Sequence, residues 1–175
     1  MGLAEPAGAS VLEIGGGVGA LQIEALRRGA VTATNLELSP TYEAEAAALL
    51  AEYAVADRAH RVVADLIEQP ASAPDADVVL LHRVVCCTAD PAALLGASAG
   101  HARRRLVLSF PRDTWWLRAA VRFVNTGAAL SRWQWRFHVH RPADLVAAVE
   151  RHGLRLSGTD RRRVWELAVL DRPAG

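Results

Sequence analysis

The chain has 175 residues, of which 51% are apolar and 22% are charged, as in a globular protein rather than a disordered or fibrous one. Its formal net charge of +1 gives no overall electrostatic reason to bind nucleic acid, and no nucleic-acid partner is expected. Every basic residue is arginine, which excludes chemistry that needs a lysine, such as a Schiff base or a Walker-type phosphate site.

The first predicted element is a short apolar strand that runs into a glycine-dense turn. The strand covers residues 11–14 and is followed by Gly15, Gly16, Gly17 and Gly19. Such glycines let the backbone turn sharply and lie close to a ligand, while the next helix offers free N–H groups at its N-terminus. The pattern predicts a nucleotide-sized site, but it also fits the dinucleotide fingerprint, so the glycines leave the ligand open.

Helices and strands then alternate along the chain. Helices are predicted over residues 22–28 and 40–54, and strands over residues 31–38 and 61–64. A strand is predicted over residues 77–81, where Asp77 is followed by a continuous apolar run of the kind found in buried parallel strands. Asp90 and Pro91 open another helix, and a fifth strand is predicted over residues 105–110. This alternation predicts a Rossmann-like, doubly wound α/β fold with a mostly parallel sheet.

The C-terminal part departs from the alternation. A helix over residues 142–152 ends at Gly153, and two strand-like segments, residues 154–157 and 164–170, follow with only a polar link between them. This arrangement is typical of a hairpin, so the last strand should enter the sheet antiparallel. We expect residues 1–175 to form a single domain.

The two cysteines bear on the cellular compartment. Cys86 and Cys87 are sequence neighbours without a partner elsewhere, so neither a disulfide framework nor a thiolate-rich zinc site is expected. Both are expected to be buried, inert thiols. No basic segment followed by an apolar stretch opens the chain, and a cytoplasmic protein is therefore expected.

Three acidic residues and the terminal hairpin together resemble the class I S-adenosylmethionine-dependent methyltransferases. Glu13 stands two positions before the first glycine, Glu37 stands at the end of the second strand, and Asp65 follows the third. In that family these positions serve the methyl donor, the ribose diol and the adenine amino group. The resemblance implies S-adenosylmethionine as cofactor, bound by Glu13, Gly15, Gly16, Gly17, Gly19, Glu37, Leu38, Asp65, Leu66 and His82.

Physical arguments accompany this resemblance, and each has an alternative. Glu37 can accept both ribose hydroxyls, but it could instead cap the helix that begins near Pro40. Glu13 suits a sulfonium better than a pyrophosphate, but it could be a buried acid paired with an arginine. Asp65 could be an ordinary acid of a turn, and the glycines could form a turn without a ligand.

Histidines are the candidates for a catalytic base. His82 directly follows the fourth strand, where the family often places active-site residues, and the pKa of an unperturbed histidine suits a general base. His140 and His138 are further candidates; they alternate on an extended stretch and should share one face. His82 could equally be bonded to a backbone carbonyl. No metal site is expected, because no third ligand accompanies the His138 and His140 pair.

Residues 112–141 form an extra segment, which contains four of the five tryptophans. Only ten residues precede the first strand, whereas many members of the family carry covering helices there, so we expect this segment to act as a lid and substrate wall. The predicted substrate-binding residues are Phe110, Arg112, Trp115 and Trp116; Trp133 and Trp135 lie in the same segment. Core packing is one alternative, and a membrane-touching helix, with Arg118 and Arg122 beside the tryptophans, is another.

The sequence therefore predicts an S-adenosylmethionine-dependent methyltransferase acting on a small apolar or aromatic metabolite. The main alternative is a non-catalytic or partner-dependent methyltransferase-like subunit. A nicotinamide-dependent reductase is a further alternative, although it gives Glu13 no role. Neither the oligomeric state nor the acceptor atom is predicted.

Overall fold

Seven strands form one sheet in the computed structural model, which describes residues 6–130 and 136–173. The strand order is β3-β2-β1-β4-β5-β7-β6. β1 to β5 are parallel, β7 is antiparallel to β5, and β6 is antiparallel to β7, which confirms the predicted mostly parallel sheet with a C-terminal hairpin. The strands are β1 (Ser10–Ile14), β2 (Thr32–Glu37), β3 (Ala59–Val63), β4 (Ala76–His82), β5 (Ala102–Pro111), β6 (Arg155–Arg161) and β7 (Trp165–Asp171).

Five helices accompany the sheet: α1 (Ala20–Arg27), α2 (Glu43–Glu52), α3 (Pro91–Gly100), α4 (Trp115–Leu130) and α5 (Pro142–Glu150). A short 3₁₀ turn, Pro40–Tyr42, precedes α2 and is capped by the Ser39 hydroxyl, which accepts from the Thr41 N–H. Helix α1 begins two residues earlier than predicted, because Gly19, at φ 81°, turns the chain directly into it.

Two apolar layers lie on opposite faces of the sheet. One includes Leu12, Leu106 and Leu108 of the strands together with Leu95 of α3 and Leu145 of α5. The other packs α1 residues against β1, β2, β4 and β5. The continuous apolar runs of β4 and β5 follow from this arrangement, since both faces of these central strands are covered.

The strand order reverses between β1 and β4, where the chain passes from one half of the sheet to the other. The carboxyl ends of β1, β2, β4 and β5 therefore meet at one edge, and Glu37, His82 and Ser109 are brought to it. In open α/β sheets, ligands bind in the crevice at such a switch point.

Helix α4 stands apart from the core. None of its residues is buried, so the core-packing interpretation of this helix is wrong. Its Asn125 side chain donates to the Phe137 carbonyl at 2.7 Å and accepts from the Phe137 N–H at 3.0 Å, which ties the helix to the segment before α5. Trp133 and Trp135 lie outside the described residues. Within the described part of the chain, no helix combines the length and apolar character needed to cross a bilayer.

Candidate functional site

A cleft of about 260 Å³ opens at the carboxyl ends of β1, β2 and β3, facing the loop after β4. Four of the residues predicted to bind the cofactor, Gly15, Leu38, Asp65 and Leu66, line it together. We call it the β1–β3 cleft. Its other walls are Ile14, Leu36, Ala64, Ile67, Val84, Cys87, Thr88 and Leu94.

Asp65 supplies the carboxylate of this cleft. Its Oδ1 atom accepts from the Ile67 N–H at 2.8 Å and from the Glu68 N–H at 3.4 Å, so one oxygen stabilises its own turn. Oδ2 makes no hydrogen bond to the described residues. Asp65 is thus both a turn acid and a wall of the cleft, with one oxygen available to a ligand.

Glu37 holds the glycine loop rather than the following helix. Its Oε2 atom accepts from the Gly17 N–H at 2.8 Å, and Oε1 accepts from the N–H groups of Leu38 and Ser39 at 2.9 and 3.2 Å. The capping alternative for Glu37 is not observed, since Ser39 caps the turn at Pro40. Each carboxylate oxygen has more than one lone pair, so the group can still accept from a bound diol.

Glu13 lies beneath the loop and not in the cleft. Only 2% exposed, it accepts from the Gln22 N–H at 2.8 Å and so satisfies a free donor in the first turn of α1. A Cβ on Gly16 would lie 2.3 Å from the Glu13 carboxyl carbon, which explains the glycine. Burial raises the pKa of Glu13 to about 7. The expectation that Glu13 contacts the cofactor needs correction: it supports the loop from behind.

Two polar residues that the sequence interpretation missed hold the loop from the β2 and β3 side. Asn35 accepts from the Gly16 N–H and donates to the Gly17 carbonyl, at 3.3 and 3.2 Å. Arg61 donates to the Gly17 carbonyl at 2.9 Å and pairs with Glu43 at 2.7 Å. Asn35 is fully buried, and an asparagine, a residue depleted in strands, in the middle of the predicted second strand was the available sequence signal.

His82 lies at the end of β4, and its Nδ1 atom shares a 2.8 Å hydrogen bond with the Ser109 hydroxyl of β5. Ser109 also accepts from the Arg83 N–H at 3.1 Å. Burial, and secondly the charge of Arg83, lower the pKa of His82. The side chain is therefore uncharged at neutral pH and able to accept a proton.

A second cavity, of about 360 Å³, lies beside His82 on the β7 side. We call it the β4–β7 cavity. Arg83 is one of its walls and has φ 60°, a conformation that costs a non-glycine residue about 1–3 kcal/mol. The guanidinium carbon of Arg83 stands 4.6 Å from the centre of the Trp165 ring. The remaining walls are Ser109, Asp160, Arg162, Glu166 and Leu167.

His138 and His140 belong to a segment that lies on the loop after β4. Their rings stack at 5.7 Å, which confirms that they share a face. His140 Nε2 lies 2.9 Å from the Val85 carbonyl and 3.1 Å from the Thr88 carbonyl. Carbonyls only accept, so this nitrogen carries a proton and only Nδ1 could act as a base. Residues 6–130 and 136–173 contain no group of three potential metal ligands.

Cys86 and Cys87 differ in their environment. Cys86 is buried, and a hydrogen bond to Cys87 together with burial raises the pKa of its thiol. Cys87 is exposed and lines the β1–β3 cleft, so the expectation that both thiols are buried is wrong for Cys87.

The residues predicted to bind the substrate are not brought together. Phe110 is 1% exposed and belongs to the core, so its expected contact with a substrate needs correction. Arg112 directly follows β5 and lies beside the β6–β7 turn, where its backbone N–H donates to the Val164 carbonyl at 2.8 Å. Trp115 is 81% exposed, and neither it nor Trp116 is among the walls of the cleft or of the β4–β7 cavity.

A third, open cavity of about 610 Å³ lies between α4 and residues 137–139. It presents Arg118, Arg122, Asn125 and His138. The guanidinium group of Arg118 is paired with Asp113.

Comparison with known families identifies the class of protein that this fold and cleft define. The family model described as "Methyltransferase domain" matches residues 1–157. The chain therefore belongs to this methyltransferase family, which confirms the predicted class. No curated protein matches the chain at a significant level of sequence similarity.

Several solved structures share the fold. A magnesium protoporphyrin IX methyltransferase from Synechocystis PCC 6803, with bound SAH (S-adenosylhomocysteine), is 22% identical with a TM-score of 0.77, over 96% of this chain and 76% of that one. An O-methyltransferase family protein from Burkholderia thailandensis is 20% identical with a TM-score of 0.80, over 99% and 54%. An O-methyltransferase family 2 protein from Planctomyces limnophilus DSM 3776, in complex with apigenin, is 17% identical with a TM-score of 0.74, over 99% and 52%.

The raised pKa of Glu13 predicts a pH-dependent contribution to stability. The folded chain holds this proton more tightly than the unfolded chain, so the contribution is full below pH 4.5 and is lost as pH rises through about 7. In urea unfolding, the free energy of unfolding of the wild type minus that of Glu13→Gln should fall by about 3 kcal/mol as the pH rises across this range. The matched control is Glu45→Gln, which removes an exposed carboxylate of α2. A pH-independent difference for Glu13→Gln would contradict a protonated Glu13.

The coupling of His82 to Arg83 is testable by NMR titration of the imidazole. The pKa of His82 should lie below 6.5 in wild type and should rise in Arg83→Gln, which removes one of the two causes of the shift. Arg162→Gln, in the same cavity but paired with Asp160 at 3.0 Å, is the matched control and should change the titration less. Equal effects of the two variants would rule out a specific coupling.

Proposed function

We propose that the protein transfers a methyl group from S-adenosylmethionine to a small apolar or aromatic acceptor. The observation that carries this proposal is the β1–β3 cleft at the switch point of the sheet, where Asp65 offers an unused carboxylate oxygen. Membership of the methyltransferase family supports it, as does the SAH-bound neighbour with the same fold.

The walls of the cleft fit an adenosine. Leu38 and Ile67, which are 67% and 39% exposed, present apolar side chains that could cover the faces of a base. Asp65 would accept from the adenine amino group, and Glu37 would accept from the ribose hydroxyls. Hydrogen bonds to such charged groups are worth roughly 1.5–3 kcal/mol each.

The electrostatics of the glycine loop disfavour a dinucleotide. Glu37 already accepts from the Gly17 N–H, which places a carboxylate on the donors that a pyrophosphate would need. Asn35 likewise occupies the Gly16 N–H. A cationic ligand without phosphates suits this loop better than a nicotinamide dinucleotide does.

Little further chemistry is required of the protein. The bound methyl donor supplies an already activated methyl group, so the rate depends on aligning the acceptor and excluding water. His82, uncharged and held by Ser109, would receive the proton that an O–H or N–H acceptor loses.

We further propose that residues 112–141 contribute to the substrate side. Small organic molecules accompany two of the structural neighbours: one is a magnesium protoporphyrin IX methyltransferase, and the other is in complex with apigenin.

Calorimetry with S-adenosylmethionine and S-adenosylhomocysteine tests the cofactor assignment. Both should bind the wild type. Glu37→Gln should weaken binding about tenfold or more, because the neutral amide is a poorer acceptor for the ribose hydroxyls. The matched control Glu45→Gln removes an exposed carboxylate of α2 and should leave binding unchanged.

Two outcomes would contradict the proposal. Failure of both ligands to bind at high micromolar concentration would favour a non-catalytic or partner-dependent subunit. Binding of NADH without binding of S-adenosylmethionine would favour the reductase.

A further inference from the structure

The β4–β7 cavity lies at the same edge of the sheet as the β1–β3 cleft, but on the other side of the loop after β4. His82 and Arg83 line the cavity, whereas Val84 lines the cleft. Val84 also packs on the loop, since a Cβ on Gly15 would lie 2.8 Å from one of its methyl carbons. Consecutive residues of one loop thus line the two spaces, so a molecule in the cavity would lie close to one in the cleft.

Arg83 is the distinctive group of this cavity. No carboxylate within residues 6–130 or 136–173 pairs with its guanidinium, which instead contacts the face of the Trp165 ring. The positive φ of Arg83 is a strained conformation, which a glycine would adopt without cost. The chain thus holds a guanidinium on an aromatic platform, at the expense of backbone strain, with its N–H donors free for a ligand.

The other charges of the cavity are already compensated. Arg162 pairs with Asp160 at 3.0 Å, and Glu166 pairs with Arg161 at 3.0 Å. His82 is uncharged at neutral pH. Arg83 is therefore the uncompensated charge, and it is positive. Trp165 and Leu167 give the same cavity an apolar wall.

We infer that the β4–β7 cavity binds the methyl acceptor and that Arg83 selects acceptors in which an aromatic ring carries a carboxylate. This inference rests on the proposed function, since it names the substrate class for the same reaction. A guanidinium recognises a carboxylate with two parallel hydrogen bonds, which a neutral amide does not reproduce. Arg83 is thus a specificity-determining residue, and His82 remains the group that accepts the proton.

Binding of such an acceptor has a consequence for His82. The charge of Arg83 is one of the causes that lower the pKa of His82, and a bound carboxylate would neutralise it. His82 then becomes a stronger base when the acceptor is in place. A purely structural Arg83 would not produce this response, so the titration of His82 distinguishes the two roles.

The experiment compares 2-naphthoate with 2-naphthamide, a pair of probes matched in shape but not in charge, by NMR titration of the full chain with and without S-adenosylhomocysteine. Wild type should bind the carboxylate about tenfold more tightly than the amide or better, and the carboxylate should raise the pKa of His82. Arg83→Gln should abolish the preference. Arg162→Gln, the matched control, should retain it.

A further variant separates folding from recognition. Arg83→Gly relieves the positive φ, so it should raise the denaturation midpoint while losing the preference for the carboxylate. The inference is overturned if naphthoate fails to bind, if it binds no better than the amide, or if Arg83→Gln and Arg162→Gln behave alike. Failure of S-adenosylhomocysteine to bind the wild type would instead refute the proposed function. The preference for naphthoate is also measured without S-adenosylhomocysteine, so the two failures can be told apart.

Discussion

The buried carboxyl group of Glu13 is the constraint on which the site depends. It satisfies an N–H of the first turn of α1 and passes directly beneath Gly16, so it fixes the helix and the glycine loop with one side chain. Burial at 2% exposure would be costly for a charged carboxylate, and the raised pKa reduces that cost by favouring the protonated form. The loop is thus positioned from below, without an ionic contact to the ligand.

Once the loop is fixed, its remaining polar groups are distributed among side chains of β2 and β3. Asn35 and Glu37 occupy its N–H donors, and Arg61 occupies a carbonyl. A phosphate-binding loop needs those donors for the ligand. Here the protein uses them internally and leaves one carboxylate oxygen of Asp65 and several apolar side chains facing the cleft, which is a surface suited to a cationic, phosphate-free nucleoside.

The sequence alone was sufficient to predict the type of sheet and several residues around the β1–β3 cleft. Apolar strands and turn residues are local signals, so the mostly parallel sheet, its antiparallel last strand and the places of Glu37 and Asp65 at strand ends could be predicted. The direction of a side chain is not local. Glu13 was predicted as a ligand contact although it points down into α1, and Phe110 was predicted as a substrate contact although it points into the core. Neighbouring residues of a strand face opposite sides, and sequence alone left the side undecided.

Arg83 shows why the β4–β7 cavity could not be predicted. Its partner Trp165 is 82 positions away, on a strand that enters antiparallel, and only the register of β5 with β7 brings that end of the hairpin beside the end of β4. The positive φ at Arg83 turns consecutive side chains to different spaces, so that Arg83 lines the cavity and Val84 lines the cleft. In-line transfer between two ligands requires their reacting atoms to approach within roughly 3–3.5 Å of each other. The loop after β4 borders both spaces, and under the proposed function His82, at the end of β4, would accept the proton where the two ligands meet.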